Sequence, residues 1–275
     1  MRRVASWIAV ALLSASSGLH AVPPTPVIVE LFTSEGCSDC PAADTLLEKL
    51  MATQPVTGAE IIGLGQHVDY WDRLGWKDRF SSAALTDRQQ RYQTRFRTES
   101  IYTPQMVVDG RAEFVGSDAG AARKAIERTL TQPHGTVQID LSGVRAESAP
   151  PAGAAPIRAE QARRLRVGVT VTDLPPVARG DRADIVVLVT ESGLRTEVKR
   201  GENHGRTLSH APVARYLATI GQTADEASST TSARAEIELA AEWQRDRVAV
   251  VAFVQEVRGR AILASASVPL KNARQ

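Results

Sequence analysis

The sequence is poor in cysteine, in aromatic residues and in excess charge of either sign. It contains two cysteines among 275 residues, 5% aromatic residues, and 33 basic against 31 acidic side chains. So few cysteines exclude a disulfide-dense miniprotein, and the near balance of charge excludes a strongly basic nucleic-acid-binding protein. Hydrophobic residues make up 43% of the chain, which is enough to bury a sizeable core. The length favours two domains of ordinary size.

The sequence also lacks any stretch that is long and apolar enough to span a bilayer. Residues 1–21 instead combine a short cationic start, an apolar run from Trp7 to Leu13 and a small-residue segment that ends at Ala21. This pattern is typical of a cleaved secretory signal peptide, with an uncleaved anchor as the alternative. Cleavage would remove Arg2 and Arg3 and leave equal numbers of basic and acidic residues. We therefore expect a neutral, periplasmic or secreted protein with no stable membrane anchor after cleavage.

The two cysteines, Cys37 and Cys40, stand three residues apart in the segment Cys-Ser-Asp-Cys-Pro. In an exported protein such a pair can persist as a disulfide, but it closes too small a loop to stabilise the chain much. A cysteine at the start of a helix faces free backbone N–H groups, which favour the thiolate. Cys37 is then the predicted nucleophile and Cys40 the resolving thiol. An inert disulfide and half of a metal site remain as alternatives, the latter with histidine or carboxylate ligands.

The pattern of apolar residues on both sides of the cysteines predicts alternating strands and helices. Thr86 and Gln89 fit a capping box for the second helix, and Asp109-Gly110 is a strong signal for a hairpin turn. The order of elements, with the cysteine pair at the first strand-to-helix junction, predicts a thioredoxin-like domain over residues 22–133. The predicted elements are a strand over 27–32, a helix from Cys40 to about Met51, a strand over 61–65, a helix over about 87–97, strands over 106–108 and 112–115, and a helix from Ser117 or Asp118 to about Leu130.

The rest of the chain reads as short strands without convincing helices. This texture is typical of an antiparallel β-sandwich, which we expect over residues 134–275 with a boundary near Pro133 and a long loop over 148–156. The predicted fold class is therefore α/β, a thioredoxin-like domain followed by an antiparallel β-sandwich-like domain. The predicted strands span 136–141, 165–172, 185–190, 194–199, 215–220, 235–239, 248–257 and 261–268.

Thr103 and Pro104 lie directly before the predicted strand over 106–108. In a thioredoxin-like fold a cis proline at this point would place its neighbours beside the sulfur atoms. We therefore expect Pro104 to belong to the reactive site and Thr103 to contact the substrate. An ordinary trans proline in a loop is the alternative.

Polar and aromatic side chains gather at the end of the second predicted strand, where open α/β sheets place their sites. His67 and Asp69 fall on the same face of a strand, so one of them could tune the thiolate or relay a proton. Trp71 and Trp76 could wall a substrate groove, or they could simply cover the edge of the sheet.

A compact polar turn, residues 201–206, lies in the second half of the chain. Glu202, His204 and the nearby His210 could bind a metal ion, but the glycines of this segment are also what a wide hairpin requires. We favour the hairpin and expect no metal and no cofactor. No glycine-rich phosphate loop and no basic, aromatic nucleic-acid surface is apparent in the sequence.

Four stretches of the chain, residues 31–41, 67–78, 102–110 and 201–208, resemble the secreted domain-of-unknown-function 1223 family. That family belongs to the thioredoxin-like superfamily and has no settled biochemical role, so the resemblance implies the fold more than an activity. Compared with thioredoxin, Gly36 replaces the usual tryptophan, and Ser38-Asp39 replaces the usual Gly-Pro. The charge of Asp39 opposes thiolate formation and speaks against a strongly oxidising protein.

The leading hypothesis from the sequence is an exported thiol–disulfide oxidoreductase. Its partners would be protein thiols or disulfides, together with a redox donor protein. The alternative is a non-enzymatic binding module or a copper or zinc chaperone, in which the cysteine pair is structural or binds metal.

Overall fold

A computed structural model describes residues 23–144, 163–223 and 230–273. The predicted signal peptide, residues 1–21, and the predicted loop over 148–156 lie outside the described residues. The described part is a mixed α/β structure, made mostly of strands with a few helices. None of its helices is long and apolar enough to cross a membrane.

The described residues form three α-helices and thirteen strands. The helices are α1 (Cys40–Thr53), α2 (Ala83–Phe96) and α3 (Ala119–Thr129). The strands are β1 (Thr25–Thr33), β2 (Ala59–His67), β3 (Gln105–Val108), β4 (Ala112–Val115), β5 (Thr136–Val144), β6 (Arg163–Thr172), β7 (Ala183–Glu191), β8 (Arg195–Glu197), β9 (Thr207–Ser209), β10 (Val213–Gln222), β11 (Thr231–Leu239), β12 (Val248–Glu256) and β13 (Ile262–Pro269).

One large mixed sheet of eight strands runs through the molecule in the order β13-β12-β7-β10-β2-β1-β3-β4. Strands β1 and β2 are parallel, and β10 joins β2 in parallel at Val213 and Gly65, where the Gly65 N–H donates to the carbonyl of Pro212 over 2.7 Å. A Cβ at Gly65 would lie 3.2 Å from that carbonyl oxygen, so glycine permits the close approach. If the chain is divided at the predicted boundary near Pro133, the strands of the first and the second half hydrogen-bond into the same sheet.

A second sheet of three antiparallel strands, in the order β11-β6-β5, packs on the part of the large sheet that β7, β12 and β13 form. Buried aliphatic side chains fill the space between them, among them Val167, Ile185 and Val250. The second half therefore has two layers, one of which is continuous with the sheet of the first half. The strand predicted over 194–199 is shorter, and it pairs with β9, which the sequence analysis missed.

The two faces of β1 carry different helices. Val29 and Leu31 pack with side chains of α1 and α3, whereas Ile28 and Phe32 belong to clusters that include side chains of α2. Because β1 is buried on both faces, its sequence is a nearly continuous apolar run. The strand leads directly into the cysteine segment, so the packing of both faces fixes where Cys37 lies.

The helix starts agree only partly with the sequence patterns. Asp118 caps α3 as expected, since its side chain accepts a hydrogen bond from the Ala121 N–H. Helix α2, however, begins at Ala83, with Ser82 as its capping residue. The capping box predicted at Thr86 was therefore wrong: Ser82 lies four residues earlier, and the Thr86 hydroxyl bonds Asp69 instead.

Candidate functional site

The two cysteines form a disulfide at the point where β1 ends and α1 begins. Their Cα atoms are 5.4 Å apart, and Cys40 is the first residue of α1. Both residues are buried, with exposed fractions of 2% for Cys37 and 1% for Cys40. A thiol partner therefore has no free path to either sulfur in this conformation.

The second half of the chain contacts the cysteine segment. The β8–β9 loop, residues 198–206, brings the fully buried Asn203 against the cysteine segment, where its side-chain amide donates to the carbonyls of Glu35 over 3.0 Å and Cys37 over 2.8 Å. A carboxylate oxygen of Glu202 in turn accepts a hydrogen bond from the Ser38 N–H over 3.0 Å. The polar turn found in the sequence therefore contacts the cysteines directly.

The Thr103–Pro104 peptide bond is cis, as expected from the sequence. A Cβ placed on Gly116 would lie 3.0 Å from Cβ of Pro104 and 3.1 Å from Cβ of Ala43, so Gly116 lets Pro104 pack close to helix α1. Trp71 bonds the residue before this proline. Its indole N–H donates to the Thr103 hydroxyl over 2.8 Å.

The Trp71 side chain also lies against Gly36, where an added Cβ would meet the Trp71 Cβ at 3.4 Å. A glycine directly before Cys37 therefore lets the indole approach the cysteine segment. Trp76 makes a different contact, because its indole N–H donates to Glu35 over 2.7 Å. The two tryptophans flank residues 35 and 36, and both are partly buried.

His67 is fixed at the end of β2 by Asp78, which accepts a hydrogen bond from His67 Nδ1 over 2.6 Å. Asp78 also accepts from the backbone N–H groups of Glu35 and Phe80. Burial alone would lower the pKa of His67, but the nearby carboxylates, above all that of Asp78, outweigh it and raise that pKa. Burial likewise opposes ionisation of Asp78, but the pKa of Asp78 is lowered because of its contact with His67.

Sequence reasoning missed two buried carboxylates of this region. Glu35 Oε1 lies 3.3 Å from His210 Nε2. Asp44, one helical turn after Cys40, accepts hydrogen bonds from the Thr33 hydroxyl over 2.8 Å and from the Ala211 N–H over 3.2 Å. Burial raises the pKa of Asp44, although both nearby histidines partly offset it. The sequence signal that could have revealed these two carboxylates is an acidic residue next to an apolar strand or helix face.

Two pairs of residues that the sequence pattern groups together, His67 with Asp69 and His204 with His210, do not act together in the structure. Asp69 bonds Thr86 over 2.6 Å, away from the Asp78 carboxylate that holds His67, so the two do not act as a pair. His204 of the polar turn is exposed, whereas the nearby His210 is buried, so the two histidines do not face a common point. The His210 ring instead packs edge-on against the His67 ring, with centroids 5.1 Å apart.

The fold and the site together define a class: a mixed α/β protein, mostly strands, in which a large mixed sheet carries a Cys-x-x-Cys disulfide at the start of a helix. The chain belongs to the family described as "Protein of unknown function (DUF1223)", whose family model matches residues 28–255. None of the curated proteins matches the chain.

Two solved structures have a similar fold. The X-ray crystal structure of protein AGR_C_4864 from Agrobacterium tumefaciens has a TM-score of 0.61 and 23% sequence identity, covering 93% of this chain and 99% of that one. HBP35 of Porphyromonas gingivalis has a TM-score of 0.60 and 12% identity, covering 92% of this chain and 77% of that one. At these identities the likeness concerns the fold alone.

Proposed function

We propose that this protein is an exported, thioredoxin-like thiol–disulfide oxidoreductase that uses the Cys37–Cys40 pair. The observation that carries the proposal is the position of the pair at the N-terminus of α1. In the same region, Trp71 bonds Thr103 of the cis Thr103–Pro104 peptide. The positive end of the helix dipole favours a thiolate at Cys37 once the disulfide is reduced.

The chemistry is exchange between two sulfur pairs. A thiolate of the partner attacks Sγ of Cys37, a mixed disulfide forms, and Cys40 leaves as a thiolate. The second thiol of the partner then attacks the mixed disulfide, so the partner becomes oxidised and both cysteines become thiols. Run backwards, the same steps reduce a partner disulfide. In either direction a second redox protein must return the pair to its starting state, so protein thiols or disulfides and a redox donor protein are the proposed partners.

We assign distinct roles to the neighbours of the pair. Thr103 and Pro104 hold the partner peptide, and Trp71 and Trp76 wall the groove that receives it. His67 tunes the thiolate indirectly, through its contact with Asp78, which also binds the Glu35 N–H two residues before Cys37. Asp69 acts only through Thr86. Since both cysteines are buried and the β8–β9 loop bonds their segment, exchange requires this loop to move away first.

Export completes the proposal. Residues 1–21 act as a cleaved signal, the protein works in the periplasm or outside the cell, and an oxidising compartment there keeps the pair as a disulfide.

The decisive experiment measures the redox equilibrium of the pair against glutathione and traps partners with Cys40→Ala. Cys37→Ala is the matched control, since it removes the attacking sulfur and leaves the resolving one. We expect mixed disulfides with Cys40→Ala and none with Cys37→Ala. A potential below about −300 mV together with no trapped mixed disulfide would contradict the proposal.

Burial of both cysteines favours a second candidate, a non-enzymatic binding module whose disulfide is structural. The same experiment separates the two, because a structural disulfide resists glutathione and captures no partner. A metal chaperone that uses the cysteines as ligands would instead lose its metal in Cys37→Ser.

A further inference from the structure

Two imidazoles and one carboxylate meet in the interior, below the segment that carries the disulfide. Asp44, His67 and His210 each offer one ligand atom, and these atoms all lie within 4.8 Å of one another. All three residues are buried. With small side-chain adjustments they can surround one ion at the bond lengths of about 2.0–2.2 Å that zinc makes with nitrogen and oxygen.

One atom of this cluster has no partner. His67 Nδ1 is held by Asp78, but His67 Nε2 is buried and meets no hydrogen-bond partner among the described residues. A buried ring nitrogen without a partner is unfavourable, and a metal ion would satisfy it. A histidine whose other nitrogen is fixed by a carboxylate is also the usual arrangement of a metal ligand, because the carboxylate sets both tautomer and ring orientation.

The other two residues also have polar neighbours. His210 Nε2 bonds the Thr196 hydroxyl over 3.4 Å and lies 3.3 Å from Glu35 Oε1, which makes no hydrogen bond among the described residues. The Thr33 hydroxyl and the Ala211 N–H orient the Asp44 carboxylate. Each of the three candidate ligands therefore has an outer partner that fixes its direction.

The buried carboxylates of this region also favour a bound cation. Three buried carboxylates, Glu35, Asp44 and Asp78, surround two imidazoles. Within the described ranges, the only side chains at ion-pair distance from these carboxylates are His67 and His210, and no lysine or arginine is among them. Buried negative charge is unfavourable without a counter-charge. A divalent ion would supply it.

We propose that Asp44, His67 and His210 bind a divalent cation of the zinc type. Two nitrogens and one oxygen suit zinc better than calcium or magnesium, which prefer oxygen ligands alone. Three protein ligands also leave a fourth position for water or for a ligand of the ion. This site differs from the turn considered in the sequence, because it uses neither Glu202 nor His204, and it does not rest on the redox proposal.

The ion would join the two halves of the chain. Asp44 and His67 precede residue 133, whereas His210 follows it, so only the folded chain brings all three together. An ion that binds the folded chain and not the unfolded one stabilises the fold. The buried site would fill most readily as the segment before β10 docks on helix α1.

The test uses the full exported chain with its disulfide intact. The chain is unfolded in denaturant that contains a chelator and is then refolded with or without Zn²⁺. We expect one bound zinc per chain, a higher thermal midpoint with zinc, and an X-ray absorption spectrum that contains only nitrogen and oxygen neighbours. His67→Gln and His210→Gln should each weaken binding by more than about 100-fold, and Asp78→Asn by about 10- to 100-fold. His204→Ala is the matched control, since His204 is an exposed histidine outside the cluster, and it should leave binding unchanged.

Three results would overturn the proposal. One is the absence of stoichiometric zinc in wild-type protein refolded with the ion. Another is unchanged affinity in both histidine variants, with circular dichroism used to check that they fold. The third is a sulfur neighbour at about 2.3 Å, which would assign the metal to the cysteines. A Cys37→Ser/Cys40→Ser double variant should abolish thiol exchange and still bind zinc, so the two proposals fail separately.

Discussion

Asn203 donates a hydrogen bond from its side-chain amide to the backbone carbonyl of Cys37 over 2.8 Å, although 166 residues separate them in sequence. The same amide also reaches the carbonyl of Glu35, and Arg206 donates to its oxygen over 2.7 Å. The Asn203 amide N–H groups thus hold the β8–β9 loop on the cysteine segment, while its oxygen bonds Arg206 within the loop. This one side chain therefore joins the second half of the chain to the backbone on both sides of Gly36.

Asn203→Ala should therefore make the disulfide more reactive. The substitution leaves two backbone carbonyls without their donor and loosens the loop, so dithiothreitol should reduce the Cys37–Cys40 bond about tenfold faster, which corresponds to about 1.4 kcal/mol of lost loop contact. The rate can be followed by trapping free thiols over time. His204→Ala, an exposed change in the same loop, should leave the rate unchanged. Equal rates for both variants would mean that the loop does not limit access.

A second buried network ties the two halves together on the α2 face of the large sheet. Glu30 is fully buried in β1 and pairs with Arg88 of α2 through two contacts of 2.6 and 2.9 Å. Arg88 also donates to Gln255 of β12 over 2.9 Å, and Gln255 donates to the hydroxyl of Tyr92 over 2.8 Å. Removing one partner of such a buried pair leaves the other charge uncompensated in the interior.

Arg88→Met should consequently destabilise the fold by about 3–5 kcal/mol, because Glu30 then lacks its counter-charge. Arg91→Met is the matched control, since Arg91 is exposed on the same helix, and it should change stability by less than about 0.5 kcal/mol. Urea unfolding of the three proteins measures the difference. A similar small effect for both variants would show that the pair contributes little.

The same pair predicts a pH dependence. Burial would raise the pKa of Glu30, but Arg88 and the hydrogen bonds around the carboxylate outweigh it and lower that pKa below the ordinary 4.5. A carboxyl whose pKa is lower in the folded state contributes stability that is fully present above the ordinary value and is lost as the pH falls through the folded value. Urea unfolding in a series of acidic buffers should show this loss in the wild type. Glu30→Gln should remove that part of the slope, and an identical slope in both proteins would refute the assignment.

Local signals in the sequence were sufficient where one short segment determines the structure. Asp109-Gly110 forms the predicted turn between β3 and β4, and Asp118 caps α3. The order of elements up to residue 133 follows from such signals. Thr86 was misleading because its hydroxyl had a distant partner, Asp69, that competed with the helix end.

The candidate site was less predictable because its contacts join residues far apart in the chain. Asp44 looks like the polar edge of an amphipathic helix, but in the structure it is buried and accepts a hydrogen bond from the Ala211 N–H, 167 residues later. The pairing of Val213 with Gly65, which merges the two halves into one sheet, likewise leaves no local trace. The spacing to Cys40 singled out Cys37, but no periodicity could reveal that Asn203 bonds its backbone carbonyl.

The turn at Gly110 offers a last test of how the halves fit together. Gly110 has a φ of +63°, and a Cβ there would lie 1.8 Å from the backbone carbonyl oxygen of Arg260, in the connection between β12 and β13. That connection is anchored to the turn, since the Ile262 N–H donates to the Asp109 carbonyl over 2.8 Å. A backbone atom cannot move aside as a flexible side chain can. Gly110 is therefore required both by its dihedral angle and by the neighbouring strand connection.

Gly110→Ala should destabilise the protein by more than about 1 kcal/mol, because the new methyl group meets both an unfavourable φ and a fixed carbonyl. Gly143→Ala, in β5, is the matched control. A Cβ at Gly143 would meet nothing within 4 Å. Alanine is also more favourable than glycine in a strand, so the stability of this variant should equal or slightly exceed that of the wild type. Chemical unfolding of both variants measures the difference. If Gly110→Ala proved as mild as Gly143→Ala, the β3–β4 turn would not lie against the β12–β13 connection, and the close fit of the two halves at this edge would be wrong.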